Sequence, residues 1–452
     1  MRILVLQFLP GTRRRPVPRF EPLLGTLLTL LERRGHTLGL LGLAAFDLEA
    51  TKAALARSLP QLIYADISPV CVDAARRTFE YIERREYLPI VVGGLYPTVD
   101  PAAALSLPGV HAAAIGEPDA SLVTYLERIK DPAVRQIVSG VWLRDEQGLA
   151  RPAPPPLVED LSSLPFPHRE HFGYAAHVAR GGELEIAVGR GCPQHCGYCL
   201  NPGLAALYAD RGVWVRRRPV GHILAEIAAL RERYPDARRI RFLDHALTLD
   251  RAWLADFLLA YRSRCGLPWR CHVRGNATDG ELAAQLAAAG CVEVTLELIS
   301  GSDFIRNEVF TMDLSGAQLA AAHAALRAAG LRTRVTVYVG APYESEASLG
   351  ETRALLLSLR PDVVDVRPYF PWPGTAAREL AREHGWLHSR GEEQYHREHP
   401  GIDMPACRPG IVSRFVRRLR AELPTEFAEP WWRRWPATAM ANLAAVFERR
   451  RL

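Results

Sequence analysis

Three thiols set out the chemistry open to this chain. Cys192, Cys196 and Cys199 stand in Gly189-Arg-Gly-Cys-Pro-Gln-His-Cys-Gly-Tyr-Cys-Leu200, a Cys-x3-Cys-x2-Cys spacing directly after the apolar stretch 184–188. A four-iron four-sulfur cluster normally takes four cysteine ligands, so three on one short loop leave an iron open to another ligand. Two other readings stay open: a zinc site, or three unrelated thiols. Zinc usually closes on four ligands drawn from paired Cys or Cys/His units, and the sequence offers no second such pair; His195 inside the loop is a nearby fourth donor.

The elements that must position this loop show in the hydrophobic pattern. Apolar runs at 184–188, 239–243, 269–273, 291–297, 332–339 and 363–369 are each followed by a helical segment. Six such repeats predict a partial (β/α)6 barrel over 181–380, where chemistry gathers at the carboxyl ends of the strands. That places Asp244 and His245, His272 and Arg274, Glu297 and Ser300, Tyr338 and Glu344, then Arg367, Tyr369 and Trp372 among the candidates. Asp244, His245, His272, Tyr338, Glu344 and Tyr369 are the ones able to serve as acid or base.

Residues 1–135 alternate strand and helix signals, with apolar runs at 3–8, 38–43, 62–67, 89–92 and 112–115 and helical spacing at 23–34, 49–58 and 74–85. The pattern predicts an open, parallel, Rossmann-type α/β sheet, which binds ligands at its carboxyl edge. Two of its strands run into Gly93-Gly-Leu-Tyr-Pro-Thr98 and Gly116-Glu-Pro-Asp-Ala-Ser121, where glycine lets a ligand approach the backbone. Arg151-Pro-Ala-Pro-Pro-Pro156 marks a linker, taken as 136–180, because successive prolines fit neither a helix nor a central strand. Residues 381–452 read as a helical region with an aromatic, basic cluster at Trp431-Trp-Arg-Arg-Trp435, expected to pack against the barrel.

The cysteine loop, with Tyr198 before its last ligand, resembles that of the radical S-adenosylmethionine (SAM) enzymes. Arg241-Phe-Leu-Asp-His245, Leu296-Glu-Leu-Ile-Ser-Gly-Ser302 and Pro371-Trp-Pro-Gly-Thr375 resemble further motifs of that family. Val339-Gly-Ala-Pro-Tyr-Glu344 resembles its Gly-x-Pro-Gly-Glu element, with Tyr343 in place of a glycine. The resemblance implies that the three cysteines bind a 4Fe–4S cluster whose open iron chelates SAM, and that Tyr198, Glu297, Ser300, Arg306 and Gly340 belong to the cofactor site. It also implies an electron donor such as flavodoxin or ferredoxin.

The front sheet resembles the cobalamin-binding-type domain that precedes many radical SAM enzymes. It lacks the family's Asp-x-His-x-x-Gly, whose histidine ligates cobalt; Pro10-Gly-Thr-Arg-Arg-Arg-Pro-Val-Pro18 stands in its place. The expected reaction is therefore radical dehydration of a 1,2-diol, similar to the diol dehydratase type of aminoglycoside (apramycin) biosynthesis, which deoxygenates an aminosugar with a partner reductase. Cobalamin-dependent C-methylation is the alternative, and a non-catalytic iron–sulfur protein a third reading.

Composition narrows the partners. The chain has 452 residues, a formal charge of +6 and eight cysteines, and its basic residues are nearly all arginine dispersed along the chain. Local runs such as Arg216-Arg-Arg218 read as solvated faces, so nucleic acid is not an expected partner. The sequence shows no apolar run of bilayer length and no signal peptide, and its cysteines are too few for a disulfide scaffold. A cytoplasmic location follows as the expectation.

Overall fold

The computed structural model describes residues 1–10, 18–85, 88–129, 137–145, 148–388 and 400–425. The first sheet is built from β1 (Arg2–Phe8), β2 (Thr37–Leu43), β3 (Leu62–Ile67), β4 (Ile90–Gly93), β5 (Val110–Ala114), β6 (Val141–Asp145) and β7 (Gly148–Ala150), in the order β2-β1-β3-β4-β5-β6-β7. The first five are parallel, as expected; β6 and β7 are antiparallel additions, so the sheet is mixed and continues into the stretch read as linker.

The period of two along β1 explains why this sheet is covered on both faces. Ile3 and Val5 pack with Leu24, Leu27 and Leu31 of the helix Pro22–Arg33, while Leu4, Leu6 and Phe8 pack with Phe79 and Ile82 of the helix Val72–Glu83. Alternate side chains on a strand point to opposite faces, so a near-continuous apolar strand needs a helix on each side.

The second sheet holds six parallel strands: β8 (Glu183–Ile186), β11 (Arg239–Phe242), β12 (Trp269–Val273), β13 (Cys291–Ile299), β14 (Arg332–Val339) and β15 (Val363–Pro368), in the order β15-β14-β13-β12-β11-β8. This sequential order, with a helix between neighbours, is a curled partial barrel. Two short strands, β9 (Gly189–Arg190) and β10 (Arg216–Arg217), pair antiparallel and bracket the cysteine loop. The core on the Pro22–Arg33 side of the first sheet is continuous with the barrel core, so the two sheets share one apolar interior. Helices Ala376–Glu383 and Pro409–Glu422 close the described chain; Trp431–Trp435 lies outside the described residues. Among the described residues no helix is long and apolar enough to cross a membrane.

Candidate functional site between the two sheets

The cysteine loop is held from below and from the side. The Gly197 N–H donates to Phe310 O at 2.8 Å, Gly197 O accepts from the Ala377 N–H at 2.9 Å, and the Thr311 hydroxyl donates to His195 O at 2.8 Å. The Ala377 contact comes from the helix that Thr375 caps, so the Pro-x-Pro-Gly-Thr turn acts by presenting that helix start to the loop. Tyr198 packs edge-on against Phe310 and Tyr338, with ring centroids 5.2 and 5.9 Å away, and Tyr369 packs at a tilt against Phe310 at 5.3 Å and against Tyr338 at 6.3 Å. Tyr198, Tyr338 and Tyr369 thus form one aromatic support under the loop.

The three thiols fit a cluster. Cys192, Cys196 and Cys199 are free and close enough to feel one another's charge. Burial pushes the Cys192 and Cys196 thiols up, which disfavours bare thiolates unless a metal or a cation compensates. Donors stand ready at the sulfurs: Arg274 Nη1 lies 3.4 Å from Cys196 Sγ, and the Asn201 N–H and Nδ2 donate to Cys199 Sγ at 3.5 and 3.4 Å. Such N–H donors are the usual surroundings of cluster-bound sulfur.

Beside the loop, the ends of β11, β12 and β13 bring His245, His272, Arg274 and Glu297 together. His245 Nδ1 hydrogen-bonds Glu297 Oε1, while His272 Nδ1 and Arg274 Nη1 lie 3.9 and 3.6 Å from the same carboxylate. Burial alone would raise the Glu297 carboxyl, but the His245 hydrogen bond and the three basic neighbours outweigh it and hold it below the usual range. His245 opposes its own burial through Glu297 and is pushed up; His272, buried beside His245, is pushed down to about 3. The cluster therefore holds an anionic Glu297, a readily protonated His245 and a neutral His272.

Other predicted residues are spent on local structure. Asp244 Oδ2 accepts from the Val188 N–H at 2.7 Å and fastens β11 to the chain leading into the loop. Arg306, expected in the cofactor site, is fully buried; its guanidinium donates to Ser300 O, to Leu314 O at 2.8 Å and to Asp303. Ser300 is buried, and its hydroxyl accepts from the Ser302 N–H at 3.2 Å. Glu344 accepts from the N–H groups of Gly340 and Ala341 and so closes its own loop, with its carboxyl pushed up to about 7 by burial. Tyr343 holds φ at 60°, the left-handed conformation a glycine would adopt freely. Ser300, Arg306, Gly340 and Glu344 thus shape the turns after β13 and β14.

Between the barrel mouth and the carboxyl edge of the first sheet lies a cavity of about 680 Å³. Cys192, Asp244 and His245 line it from the barrel; Gln7, Asp66 and Gly94 line it from the sheet. Asp66, at the end of β3, has its carboxyl pushed up to about 7 by burial and by the neighbouring Glu21.

The sheet-edge glycines sit tightly against neighbouring side chains. A Cβ on Gly93 would lie 2.3 Å from the Tyr64 hydroxyl, on Gly94 2.0 Å from Asp66 Oδ1, and on Gly116 1.9 Å from the Tyr208 hydroxyl. The space these glycines leave is filled by the chain's own side chains. Gly94 and Gly116 nonetheless line the cavity.

Reading the arginine run as a solvated face is also overturned. Arg216 and Arg218 are buried: Arg216 pairs with Glu117, and Arg218 pairs with Glu226 at 2.6 Å. Arg190, one residue into β9, pairs with Glu117 at 2.6 Å and with Asp119. A clasp of Arg190, Arg216, Glu117 and Asp119 therefore joins the strand before the cysteines to the Gly116-Glu-Pro-Asp turn. Its signal in the sequence was the arginine immediately before Gly191-Cys192, but no spacing rule names its partners.

Comparison with known proteins agrees with this architecture. The Radical SAM superfamily profile matches residues 186–356. The cytidylyl-2-hydroxyethylphosphonate methyltransferase of Streptomyces wedmorensis is 24% identical over 265 residues, covering 50% of this chain and 47% of that protein, so the chain spans about half the length of this curated relative. Among solved structures, the radical SAM methyltransferase TsrM from Kitasatospora setae, with tryptophan substrate and a SAM analogue, superposes with a TM-score of 0.65 at 18% identity, over 85% of this chain and 76% of that one. The cobalamin-dependent SAM radical enzyme OxsB, with aqua-cobalamin, gives 0.64 at 15% identity over 93% and 61%. At these identities the superpositions speak to the fold, which covers both sheets. The profile match begins at the strand that delivers the cysteine loop and runs into the helix after β14, so the segment that carries the candidate site matches the radical SAM superfamily, whose cofactors are a 4Fe–4S cluster and S-adenosylmethionine.

Proposed function

We propose that Cys192, Cys196 and Cys199 ligate the cluster and that the chain acts on a small molecule held in the cavity between the two sheets. The observation that carries this reading is that one cavity is lined both by Cys192 and by the carboxyl edge of the first sheet. When bound, the cluster and SAM would supply a 5′-deoxyadenosyl radical able to take a hydrogen atom from a C–H bond. Glu297, set among His245, His272 and Arg274, is the carboxylate placed to hold a polar group of SAM, and Tyr198 walls the loop. The turns shaped by Ser300, Arg306 and Gly340 complete the cofactor side. His245 reaches the cavity and is the acid–base group best placed for substrate, with Asp244 beside it. Tyr338, Tyr369 and Glu344 support the site from behind.

Two outcomes follow for the substrate radical. Methyl transfer with a corrinoid in the cavity is supported by the two-sheet order shared with cobalamin-dependent enzymes and by the methyltransferase relative. A corrinoid would supply the methyl group, and Asp66 and Gln7 would face it from the sheet edge. Dehydration of a 1,2-diol, as on an aminosugar, is favoured by a different observation: the sequence lacks the Asp-x-His-x-x-Gly whose histidine would ligate cobalt. Either outcome calls for a reducing electron donor such as flavodoxin or ferredoxin, and dehydration also for a partner reductase.

Protein reconstituted with iron and sulfide, offered hydroxocobalamin and passed over gel filtration decides between them. Co-eluting corrinoid near one equivalent supports methyl transfer. Cluster absorption and 5′-deoxyadenosine formation without corrinoid support dehydration. Failure to bind iron sinks both.

A further inference from the structure

Arg274 stands where the cysteine loop and the Glu297 carboxylate meet. Its Nη1 lies 3.4 Å from Cys196 Sγ and 3.6 Å from Glu297 Oε2, so one guanidinium nitrogen faces both a sulfur and a carboxylate. Nη2 is turned away to Met312 O at 3.4 Å, and the side chain is almost wholly buried, as are those of Cys196 and Glu297. The donors at Cys199 come from Asn201 and are neutral; the donor at Cys196 carries a full charge.

Building on the cluster assignment above, we propose that Arg274 is a positioning residue that couples what binds at Glu297 to the charge on Cys196 Sγ, and thereby sets the reduction potential of the cluster. A cationic donor at a ligating sulfur stabilises the reduced cluster, which carries one more negative charge, and so raises its potential. Glu297 competes for the same guanidinium nitrogen. A ligand group that engages the Glu297 carboxylate releases Nη1 toward sulfur, so occupancy at Glu297 favours reduction when the ligand is present. Low dielectric around all three groups keeps this competition strong.

The test is a potentiometric titration, followed by electron paramagnetic resonance, of the reconstituted wild type and of Arg274→Gln, Arg274→Lys and Glu297→Gln, each with and without SAM. Arg274→Gln should lower the potential enough that the reduced fraction at a fixed applied potential falls about tenfold, the scale of one charged hydrogen bond. Glu297→Gln should shift it the opposite way, and Arg274→Lys should fall between wild type and Arg274→Gln. The shift on adding SAM should shrink in both Arg274→Gln and Glu297→Gln. An unchanged potential in Arg274→Gln with full iron content, or a lowered one in Glu297→Gln, overturns the proposal. Should Arg274→Gln fail to assemble its cluster, the upward shift in Glu297→Gln still decides, because general damage would not produce it. Absence of iron from the wild type would instead refute the cluster assignment.

Discussion

The Tyr208 hydroxyl accepts a hydrogen bond from the backbone N–H of Glu117 at 2.7 Å, directly over Gly116. Tyr208 ends the helix Asn201–Leu207 that leaves the cysteine loop, and Glu117 begins the turn after β5, so this bond ties the cluster side of the cavity to the sheet side. Gly116 makes the contact possible, both by its φ of 72° and by its missing Cβ. The same turn receives Arg190 and Arg216, which makes it the seam of the molecule.

Substitution at that seam should act in proportion to what it displaces. Gly116→Ala forces a Cβ to within 1.9 Å of the Tyr208 hydroxyl in a left-handed backbone and should destabilise by ~2 kcal/mol or more. Tyr208→Phe removes only the hydrogen bond and should cost ~1 kcal/mol. Thermal unfolding followed by fluorescence checks the ranking; a larger loss in Tyr208→Phe would contradict it.

The buried clasp should behave as a coupled network. Arg190→Met leaves Asp119 without the arginine that pairs with it and should cost ~3 kcal/mol. Adding Asp119→Asn should recover part of that loss, because it removes the buried carboxylate left unpaired. Strict additivity in the double-mutant cycle would show that the two charges do not share a network.

Asp66 predicts a pH dependence with a definite sign. Its carboxyl is held at about 7 in the folded chain, above the ordinary value near ~3.9 in an unfolded one, so folding favours the protonated form. Its cost to stability is absent below the unfolded value, grows as pH rises and is complete above about 7. Asp66→Asn should therefore gain over wild type as pH rises from 5 to 8, by at most ~3 kcal/mol across that window and by less than that, since the carboxyl faces an open cavity. Melting temperatures across that range read the effect, and a gap that narrows with rising pH would reverse the assignment.

At the cofactor site, binding and assembly should separate. Replacing Cys192, Cys196 and Cys199 by Ala should remove bound iron and 5′-deoxyadenosine formation together. Glu297→Gln should keep the iron but weaken SAM binding by roughly tenfold or more, the worth of one charge-assisted hydrogen bond. Calorimetric titration with SAM distinguishes the two; an unchanged dissociation constant would take Glu297 out of the site.

The sequence by itself determined the cysteine loop, the six barrel strands and the first five strands of the front sheet, because each depends on local spacing. Three thiols in eight residues and apolar runs punctuated by glycine are written in the order of the chain. The strand ends also announced His245, His272 and Glu297, since a parallel barrel sends those positions to one mouth. Only the tertiary structure decided how such residues are used. That Glu297 is anionic and His272 neutral depends on distances among the ends of three strands. That Arg306 and Glu344 are spent on turns is decided by close local packing; that Arg216 is buried against Glu117 and that Tyr208 bonds to the Glu117 N–H over Gly116 are contacts between segments 99 and 91 residues apart. Charge and glycine are ambiguous in a sequence because each states a possibility; the partner that arrives at close range makes the one a clasp and the other a seat.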